Sequence, residues 1–282
     1  MWLLMLIKRL NLALLFALAS STTFAATDNI YQHDASLDYV SSTEEFSEGT
    51  WNAGYRYYFT AVSQETTPYA LSGFLAQTSN IGAKYAGFEG DLDAYGMNGQ
   101  YVFTSKWFVG ANYQNLGTDL FDSDTYGVSV GYYFNSTSSV YLGYTKSDKD
   151  YDIGFDDRAS ADLDTLSLGV RSFLPLQSTA GVDLTAQLYF GQSEFTVKNT
   201  PNGDVRDSDE TTALMLSADW YLTRSWSVGA NYSVQEETDP YGINTTYHWR
   251  ISDSFSAIAR ASKSFEPDED GVSLSLGING RF

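Results

Sequence analysis

The sequence predicts an all-β protein that folds as a transmembrane, antiparallel up-and-down β-barrel of about 14 strands, with short periplasmic turns and longer acidic extracellular loops. Three observations predict this class. They are an export-type N-terminal segment, hydrophobic residues at every second position in run after run, and connections that alternate between short and long. An even number of runs with short turns on one side only is typical of barrels that cross an outer membrane.

The first 25 residues differ in composition from the rest of the chain. Lys8 and Arg9 precede a short apolar segment, which ends in small residues at Ala25. This order is typical of a secretory signal peptide, so we expect residues 1–25 to be removed and residues 26–282 to form a single barrel domain in the bacterial outer membrane. The alternative is a membrane anchor, which needs about 20 apolar residues, and the segment after Arg9 has about nine.

Runs of alternating polarity fill the remainder of the chain. The second run shows the pattern clearly, with Trp51, Tyr55 and Phe59 on one face and small or polar residues such as Gly54 on the other. This period of two is that of a β-strand with one apolar face. The pattern occurs near residues 34–42, 50–60, 78–88, 92–103, 107–117, 124–134, 139–147, 163–173, 181–193, 211–222, 226–236, 241–250, 254–264 and 271–282.

The connections between runs differ in length on the two sides. From the fifth run onward, short connections follow the even-numbered runs, and longer acidic ones such as 148–162 and 194–210 follow the odd-numbered runs. The connection 61–77 is an exception, because it is long but lies on the short-turn side. Fourteen strands about 4.8 Å apart and tilted by about 40° give a backbone diameter of roughly 28 Å and an opening on the order of 10–15 Å. No connection is long enough for a plug domain, and the longest loops, 148–162 and 194–210, can only constrict the opening, so we expect the lumen to conduct.

A soluble β-sandwich is the alternative architecture, because its strands also alternate. The outer face of a sandwich would be rich in charge, whereas the second face of these runs is mostly Gly, Ser, Thr, Asn and Gln. That composition suits a wet lumen behind a lipid-facing wall. Aromatic residues also lie at the ends of the runs, where interfacial girdles require them: Trp51, Trp107, Phe134, Trp226, Trp249 and Phe255.

The composition excludes several classes of function. The 35 acidic residues outnumber the 16 basic ones, and a net charge of −19 does not suit a protein that binds nucleic-acid phosphates. The chain has no cysteine, which excludes disulfides and zinc–thiolate sites. Its two histidines, His33 and His248, lie on the inferred periplasmic side, away from the rim at which an outer-membrane enzyme would meet its substrate. We expect neither catalysis nor a cofactor.

The densest acidic segment is a candidate metal site that fails on its spacing. Asp148, Asp150 and Asp152 suggest a calcium loop of the EF type, which needs Gly at position six and Glu at position twelve. Counted from Asp148, these positions hold Ile153 and Ala159. We therefore expect a solvated acidic loop and no metal site, with a weak Ca²⁺ or Mg²⁺ site as the alternative. Together the acidic loops would surround the extracellular mouth, where divalent cations could link them to lipopolysaccharide phosphates.

Charged residues on the inferred inward faces form the candidate pore-lining set. Its basic members are Arg56, Lys84, Arg171 and Arg260, and its acidic members are Asp38, Asp183 and Asp219. These residues could pair between neighbouring strands and rigidify the wall. Alternatively, a basic side opposite an acidic side would create a transverse field that orients polar or anionic solutes. Arg56 and Lys84 lie on adjacent predicted strands and repel each other unless an anion or Asp38 lies between them.

Two segments resemble known protein families. The ending GVSLSLGINGRF, with Phe282 at its terminus, resembles the C-terminal signal of Gram-negative outer-membrane proteins, which implies that the barrel-assembly machinery recognises the last strand. Residues 53–85, with a tyrosine-rich strand and a long turn containing Pro68, resemble the opening of the putative general bacterial porin family. That resemblance implies passive diffusion through the barrel without naming a solute.

We therefore expect a porin channel for small hydrophilic solutes and ions, with a modest cation preference that comes from its acidic mouth. Its partners would be outer-membrane lipid, lipopolysaccharide, the barrel-assembly machinery and small polar solutes. A monomer and a homotrimer both fit, because a trimer interface and a lipid-facing wall are both apolar. The alternative is a non-conducting structural or adhesive barrel whose acidic loops bind divalent cations or lipopolysaccharide. A closed lumen would favour this alternative, and a wet lumen with unpaired Arg and Lys would favour the channel.

Overall fold

The computed structural model describes most of the chain beyond the predicted signal peptide. The described residues are 29–88, 92–118, 121–154, 157–197, 205–235, 238–267 and 271–282, and side chains are not described for 152–158. The predicted signal peptide over residues 1–25 therefore lies outside the described residues, as do the acidic residues at 268–270.

The described residues form fourteen strands, and each predicted run overlaps one of them. The all-β barrel prediction is thereby confirmed. The strands are β1 (Ile30–Ser42), β2 (Thr50–Ser63), β3 (Asn80–Gly87), β4 (Asp93–Val102), β5 (Trp107–Thr118), β6 (Phe121–Asn135), β7 (Ser138–Gly154), β8 (Asp157–Leu174), β9 (Gly181–Val197), β10 (Val205–Tyr221), β11 (Trp226–Val234), β12 (Tyr241–Arg250), β13 (Phe255–Glu266) and β14 (Ser273–Arg281).

The sheet closes on itself into a barrel. Each strand pairs antiparallel with its neighbours in sequence, and β1 pairs with β14 from Asp34 opposite Arg281 to Ser42 opposite Ser273. The backbone of Phe282 extends this ladder, since its N–H donates to the His33 carbonyl at 2.9 Å. Closure leaves no edge strand with unpaired backbone groups, which is the condition for a sheet to lie in lipid.

The outer face of the barrel is apolar in its middle and aromatic at its ends. On β8, for example, Leu166, Leu168 and Val170 point outward and are exposed. The six aromatic residues assigned to the girdles are exposed on the same outer face: Trp51, Trp107, Phe134, Trp226, Trp249 and Phe255. Exposed apolar side chains over most of the wall match a surface whose solvent is hydrocarbon and whose boundaries are interfacial.

The extracellular rim is higher on one side than on the other. Strands β6 to β10 contain 15 to 18 residues, whereas β11 to β14 contain 9 to 12. The segments 148–162 and 194–210, expected to be loops, are therefore mostly strand, and the ladder of β9 and β10 reaches Val197 opposite Val205. Their acidic character suggested loops, but charged side chains do not prevent backbone pairing, and the ladder of β7 and β8 includes Asp148 opposite Asp162.

The long connection after β2 departs most from the prediction. It contains a 3₁₀ turn at Tyr69–Leu71 and a helical turn, α1 (Ser72–Leu75), and it folds into the periplasmic end of the barrel. Leu71 is buried against Phe173 of β8 and Tyr221 of β10. No helix among the described residues has the length and hydropathy to cross a membrane.

The connection that enters the lumen is therefore this periplasmic one, whereas the sequence indicated 148–162 and 194–210 as the loops able to constrict it. On another side of the barrel, the hydroxyls of Ser72 and Tyr31 lie 2.8 Å apart in a hydrogen bond, so the connection reaches β1 as well as β8 and β10. A short segment can cross the lumen because Pro68 and Leu71 are buried, and Leu71 packs on aromatic side chains of the inner wall. We call residues 64–79 the inserted segment.

Candidate functional site

The strand register places the seven predicted pore-lining side chains on the inner side of the wall. Each alternates with outward-facing residues, as Arg260 does with Ala259 and Ala261, and Arg171 with Val170. The seven residues are Arg56, Lys84, Arg171, Arg260, Asp38, Asp183 and Asp219.

Two of the seven form an ion pair with each other. Arg171 of β8 reaches Asp183 of β9, with 2.7 Å between Nη2 and Oδ2, and its Nε also donates to Oδ2 at 3.1 Å. The Asp183 side chain is 6% exposed, so its charge is compensated by a two-point contact away from water. The Arg171 guanidinium also lies 4.3 Å from the ring centroid of Phe74 on the inserted segment. This pair thus stiffens the wall and supports the inserted segment.

Arg56 and Lys84 hydrogen-bond to neutral amides. Arg56 Nη1 donates to Asn80 Oδ1 at 2.8 Å, and Lys84 Nζ donates to Gln114 Oε1 at 2.7 Å. Asp38 does not separate the two cations, because its carboxylate accepts a hydrogen bond from a β2 amide instead. Both positive charges therefore face the lumen without an acidic partner among the described residues.

On the other side of the barrel, Arg260 and Asp219 also contact only neutral groups. Arg260 Nη1 lies 3.4 Å from Ser275 Oγ, which is a weak contact. Asp219 hydrogen-bonds with Asn244 and lies flat against the wall, because a Cβ on Gly229 would lie 2.0 Å from its Oδ1. Charges with only neutral partners require water or a solute around them.

Arginines at the short-turn rim hold the inserted segment. The ring of Tyr69 lies between Arg224 and Arg250, whose guanidinium carbons are 4.8 Å and 5.2 Å from its centroid. Arg281 Nη1 donates to the Tyr69 carbonyl at 3.0 Å, and its Nε pairs with Asp34 at 3.1 Å. Three arginines from different turns and strand ends thus converge on one tyrosine.

Not every buried polar atom around the inserted segment has a hydrogen-bond partner. Arg224 Nε donates to the Thr67 carbonyl at 3.0 Å. Among the described buried side chains, however, Thr67 Oγ1 and Arg224 Nη2 have no protein hydrogen-bond partner. A buried polar group without a partner costs about 1–3 kcal/mol. The inserted position is therefore stabilised by cation–π contacts and weakened by these two groups.

Sequence reasoning missed Arg224, Arg250 and Arg281 as functional residues. Period-two patterns assign a face only within a strand, whereas these arginines lie in a turn or at strand ends. One available signal was the apolar connection on the short-turn side, because an apolar segment without a strand pattern must pack on something.

Carboxylates near the extracellular end lie mainly on the outer face of the barrel. Four outward tyrosines donate to them, one at each of four hairpins, and the pairs are Tyr85–Asp93, Tyr113–Asp124, Tyr144–Asp164 and Tyr232–Asp239. These acids thus lie just beyond the apolar band, at the level of lipid headgroups. Alternation along the strands turns Asp93, Asp124 and Asp164 outward. None of the four acids belongs to the acidic segments that are expected to surround the mouth.

The acidic extension of β7 and β8 brings two carboxylates, Asp148 and Asp162, together. Lys146 Nζ lies 3.0 Å from Asp148 Oδ1, and this hydrogen bond holds the pKa of Asp148 below its usual value. The hydrogen bond between Asp148 and Asp162 raises the pKa of Asp162, which accepts a proton first as the pH falls. Among the described residues, no three metal-ligating side chains are grouped to hold an ion. The side chain of Asp152 lies outside the description.

The two histidines lie away from the extracellular rim. His33 follows the start of β1, and its Nδ1 is 2.7 Å from the hydroxyl of Tyr55. His248 is 7% exposed and pairs in register with Ile258, near the short-turn end of β12.

Comparison with known proteins identifies one protein family and several solved structures of similar fold. A family model described as "Putative general bacterial porin" matches residues 5–269. The crystal structure of the Acinetobacter baumannii outer membrane protein Omp33 is similar with a TM-score of 0.60 and 19% identity, over 91% of this chain and 100% of that one. At this identity the similarity shows a shared fold alone.

Other solved barrels are more distant. The Ralstonia pickettii toluene transporter TbuX gives a TM-score of 0.48 at 10% identity, over 91% of this chain and 90% of that chain. The KdgM porin gives 0.38 at 8% identity, over 88% and 99%. No curated protein sequence matches the chain.

Proposed function

The chain belongs to the family of putative general bacterial porins, and we propose that it is an outer-membrane channel through which small hydrophilic solutes and ions diffuse passively. We further propose that the inserted segment controls passage at the periplasmic end. The family supplies the class of function, and the geometry of the lumen supports the mechanism.

The observation that carries this proposal is the set of charges on the inner wall. Of the seven charged side chains, only Arg171 and Asp183 form an ion pair with each other. The other five contact neutral amides or hydroxyls. A dry interior would leave such charges at a cost of several kcal/mol each. A hydrated lumen removes that cost, and hydration is also what a polar solute needs for passage.

The inserted segment acts as the gate in this proposal. Its contacts reach β1, β8 and β10, and the arginines that hold Tyr69 come from the end of β12, the end of β14 and the turn between β10 and β11. Passage then requires the segment to move aside. The segment is joined to β2 and β3 at its ends, so it can swing toward the periplasm without unfolding the barrel.

Selectivity in this proposal is a modest preference for cations. Its support is the net charge of −19 and the position of many carboxylates at the extracellular end. The preference is modest because the inner wall is nearly balanced, with four basic and three acidic members in the predicted set, and because charges on the outer face are screened within about 8–10 Å.

The experiment that tests the channel is single-channel recording of the refolded protein (residues 26–282) in a planar bilayer. We expect brief stepwise openings from a mostly closed state, with a reversal potential in a salt gradient that indicates cation preference. A folded barrel that gives no steps, in the native chain and in a variant with weakened contacts around Tyr69, would refute the channel. An anion-selective reversal potential would refute the selectivity alone.

A second candidate function is favoured by the inserted segment, which occupies part of the lumen at the periplasmic end. In this case the protein is a structural or adhesive barrel, and its outward carboxylates bind divalent cations or lipopolysaccharide. The Tyr–Asp pairs at the headgroup level support it. Its test is the melting temperature in lipopolysaccharide-containing bilayers with and without Ca²⁺. Equal melting temperatures would contradict it, and conductance would favour the channel.

Further proposals concern export and assembly. We propose that residues 1–25 are a cleaved signal peptide and that β14 with Phe282 is recognised by the barrel-assembly machinery. The position of Phe282 supports the second proposal. Its carbonyl accepts the N–H groups of Gln32 and His33 at 2.7 Å and 2.8 Å, so the terminal residue completes the seam that closes the barrel. Both a monomer and a homotrimer remain compatible with the apolar outer wall.

A further inference from the structure

A polar cavity of about 360 Å³ lies inside the barrel beside the inserted segment. Ala70 of that segment lines it, and the rest of its lining comes from β1 and β10 to β14. The space exists because inward residues on this side are small, as at Ser36, Ser227 and Gly277. Its volume is at the low end for ligand pockets and suits a solute of about ten heavy atoms.

Three charged side chains face this cavity without forming an ion pair. Asp38 accepts a hydrogen bond from Asn52 Nδ2 at 3.1 Å, Asp219 bonds to an amide of β12, and Arg260 has only its 3.4 Å contact with Ser275. Among the described residues, none of the three takes part in a salt bridge. Beside the Asp34–Arg281 ion pair, which also lines it, the cavity thus presents two carboxylates and one guanidinium that have no ionic partner. Most donors of that guanidinium are available.

The positions of these charges are fixed by the wall. Asp38 pairs in register with Gly277 of β14, which pairs with Ile258 of β13, and Arg260 lies two residues further along β13. Two interstrand spacings and two residues along the strand therefore separate the backbones of Asp38 and Arg260 by about 12 Å. A Cβ on Gly277 would lie 2.7 Å from the Cβ of Asp38, so glycine is needed for that side chain to lie there. The long arginine side chain covers part of the separation and leaves a gap of solute size.

We propose that this cavity binds zwitterionic solutes, namely amino acids and short peptides, with the carboxylate on Arg260 and the ammonium group on Asp38 or Asp219. The inference rests on the proposed channel function and names its solute class. A guanidinium binds a carboxylate in two-point fashion, and the two aspartates attract an ammonium group. A simple anion is repelled by the aspartates, a simple cation is repelled by Arg260, and a neutral sugar leaves all three charges unpaired.

The test is binding of L-glutamine to the folded protein in detergent micelles, measured by isothermal titration calorimetry. L-arabinose serves as a neutral probe of similar size, and acetate as an anion. We expect glutamine to bind at least tenfold more tightly than either. Arg260→Gln, and the double variant Asp38→Asn with Asp219→Asn, should each raise the Kd for glutamine at least tenfold. Arg206→Gln is the matched control, because it removes an exposed arginine of the β10 extension and should leave the Kd unchanged.

Either of two results would overturn the proposal. One is that arabinose binds as tightly as glutamine, and the other is that neither variant changes the Kd for glutamine. If Arg260→Gln does not fold, Arg260→Lys replaces it, since lysine keeps the charge but loses the planar fork and should still weaken binding. Calorimetry in micelles does not require conduction. Binding without conductance therefore supports this site while refuting the channel, and conductance without glutamine binding refutes this site while leaving the channel.

Discussion

Replacing Tyr69 with leucine should increase the fraction of time for which the channel conducts. Leucine keeps an apolar side chain and the backbone contacts, including the Tyr69 N–H that donates to the Arg224 carbonyl at 3.0 Å. It removes the two cation–π contacts with Arg224 and Arg250. At about 1 kcal/mol each, these contacts stabilise the inserted position by about 2 kcal/mol.

A difference of about 2 kcal/mol changes the ratio of displaced to inserted states by about 30-fold. A native conducting fraction on the order of 1% would then rise to about a quarter of the recording time. The assay is the open fraction in single-channel records at fixed voltage. Tyr101→Leu is the matched control, because it removes an exposed tyrosine from the lipid-facing wall. Equal open fractions in Tyr69→Leu, the control and the native protein would refute the gate.

Three further changes test other parts of the wall. Asp183→Asn should lower the stability to thermal unfolding by about 2–3 kcal/mol, since it leaves the Arg171 charge without its partner, and an unchanged melting curve would contradict the role of this pair. The double variant Arg56→Gln with Lys84→Gln should shift the reversal potential in a tenfold KCl gradient toward greater cation preference, and an unchanged potential would assign both residues to wall structure alone. Phe282→Ala should lose about 1 kcal/mol from the edge-to-face ring contact at 5.5 Å and still refold in detergent. Its insertion by reconstituted assembly machinery should nevertheless be slowed, whereas alanine at its ring partner on β13 should slow it less; equal slowing would argue against recognition of the terminal residue.

The fold was predictable because the alternation within each strand shows which of its faces is turned to lipid. Alternation such as Trp51, Tyr55 and Phe59 repeats locally, so fourteen strands and their inward faces follow from periodicity alone. The seven inward charges follow from the same parity. Their partners do not, because Arg56 and Asn80 meet through pairing across 24 residues, which no local pattern encodes.

The inserted segment was not predictable for a different reason. Its position depends on side chains from four distant parts of the chain, among them Arg224 and Arg281, which converge only after the barrel closes. The acidic strand extensions were missed because polarity was taken to indicate a loop. Backbone pairing uses main-chain groups alone, so it continues through these segments although their side chains are charged.

Because the barrel is taller on one side, the surface exposed furthest outside the cell and the charged cavity lie on different sides of the wall. Strand β8 has 18 residues and β11 has 9, a difference of about 30 Å along a strand and roughly 20 Å in height when the strands are tilted by about 40°. The cavity that contains Arg260 and Asp219 lies against the low side, whereas the tips of β7 to β10 project furthest from the membrane. Antibodies and bacteriophages would therefore meet the tall side first. Sequence changes at its tips can alter recognition by such agents while the charged side chains that face the cavity stay the same.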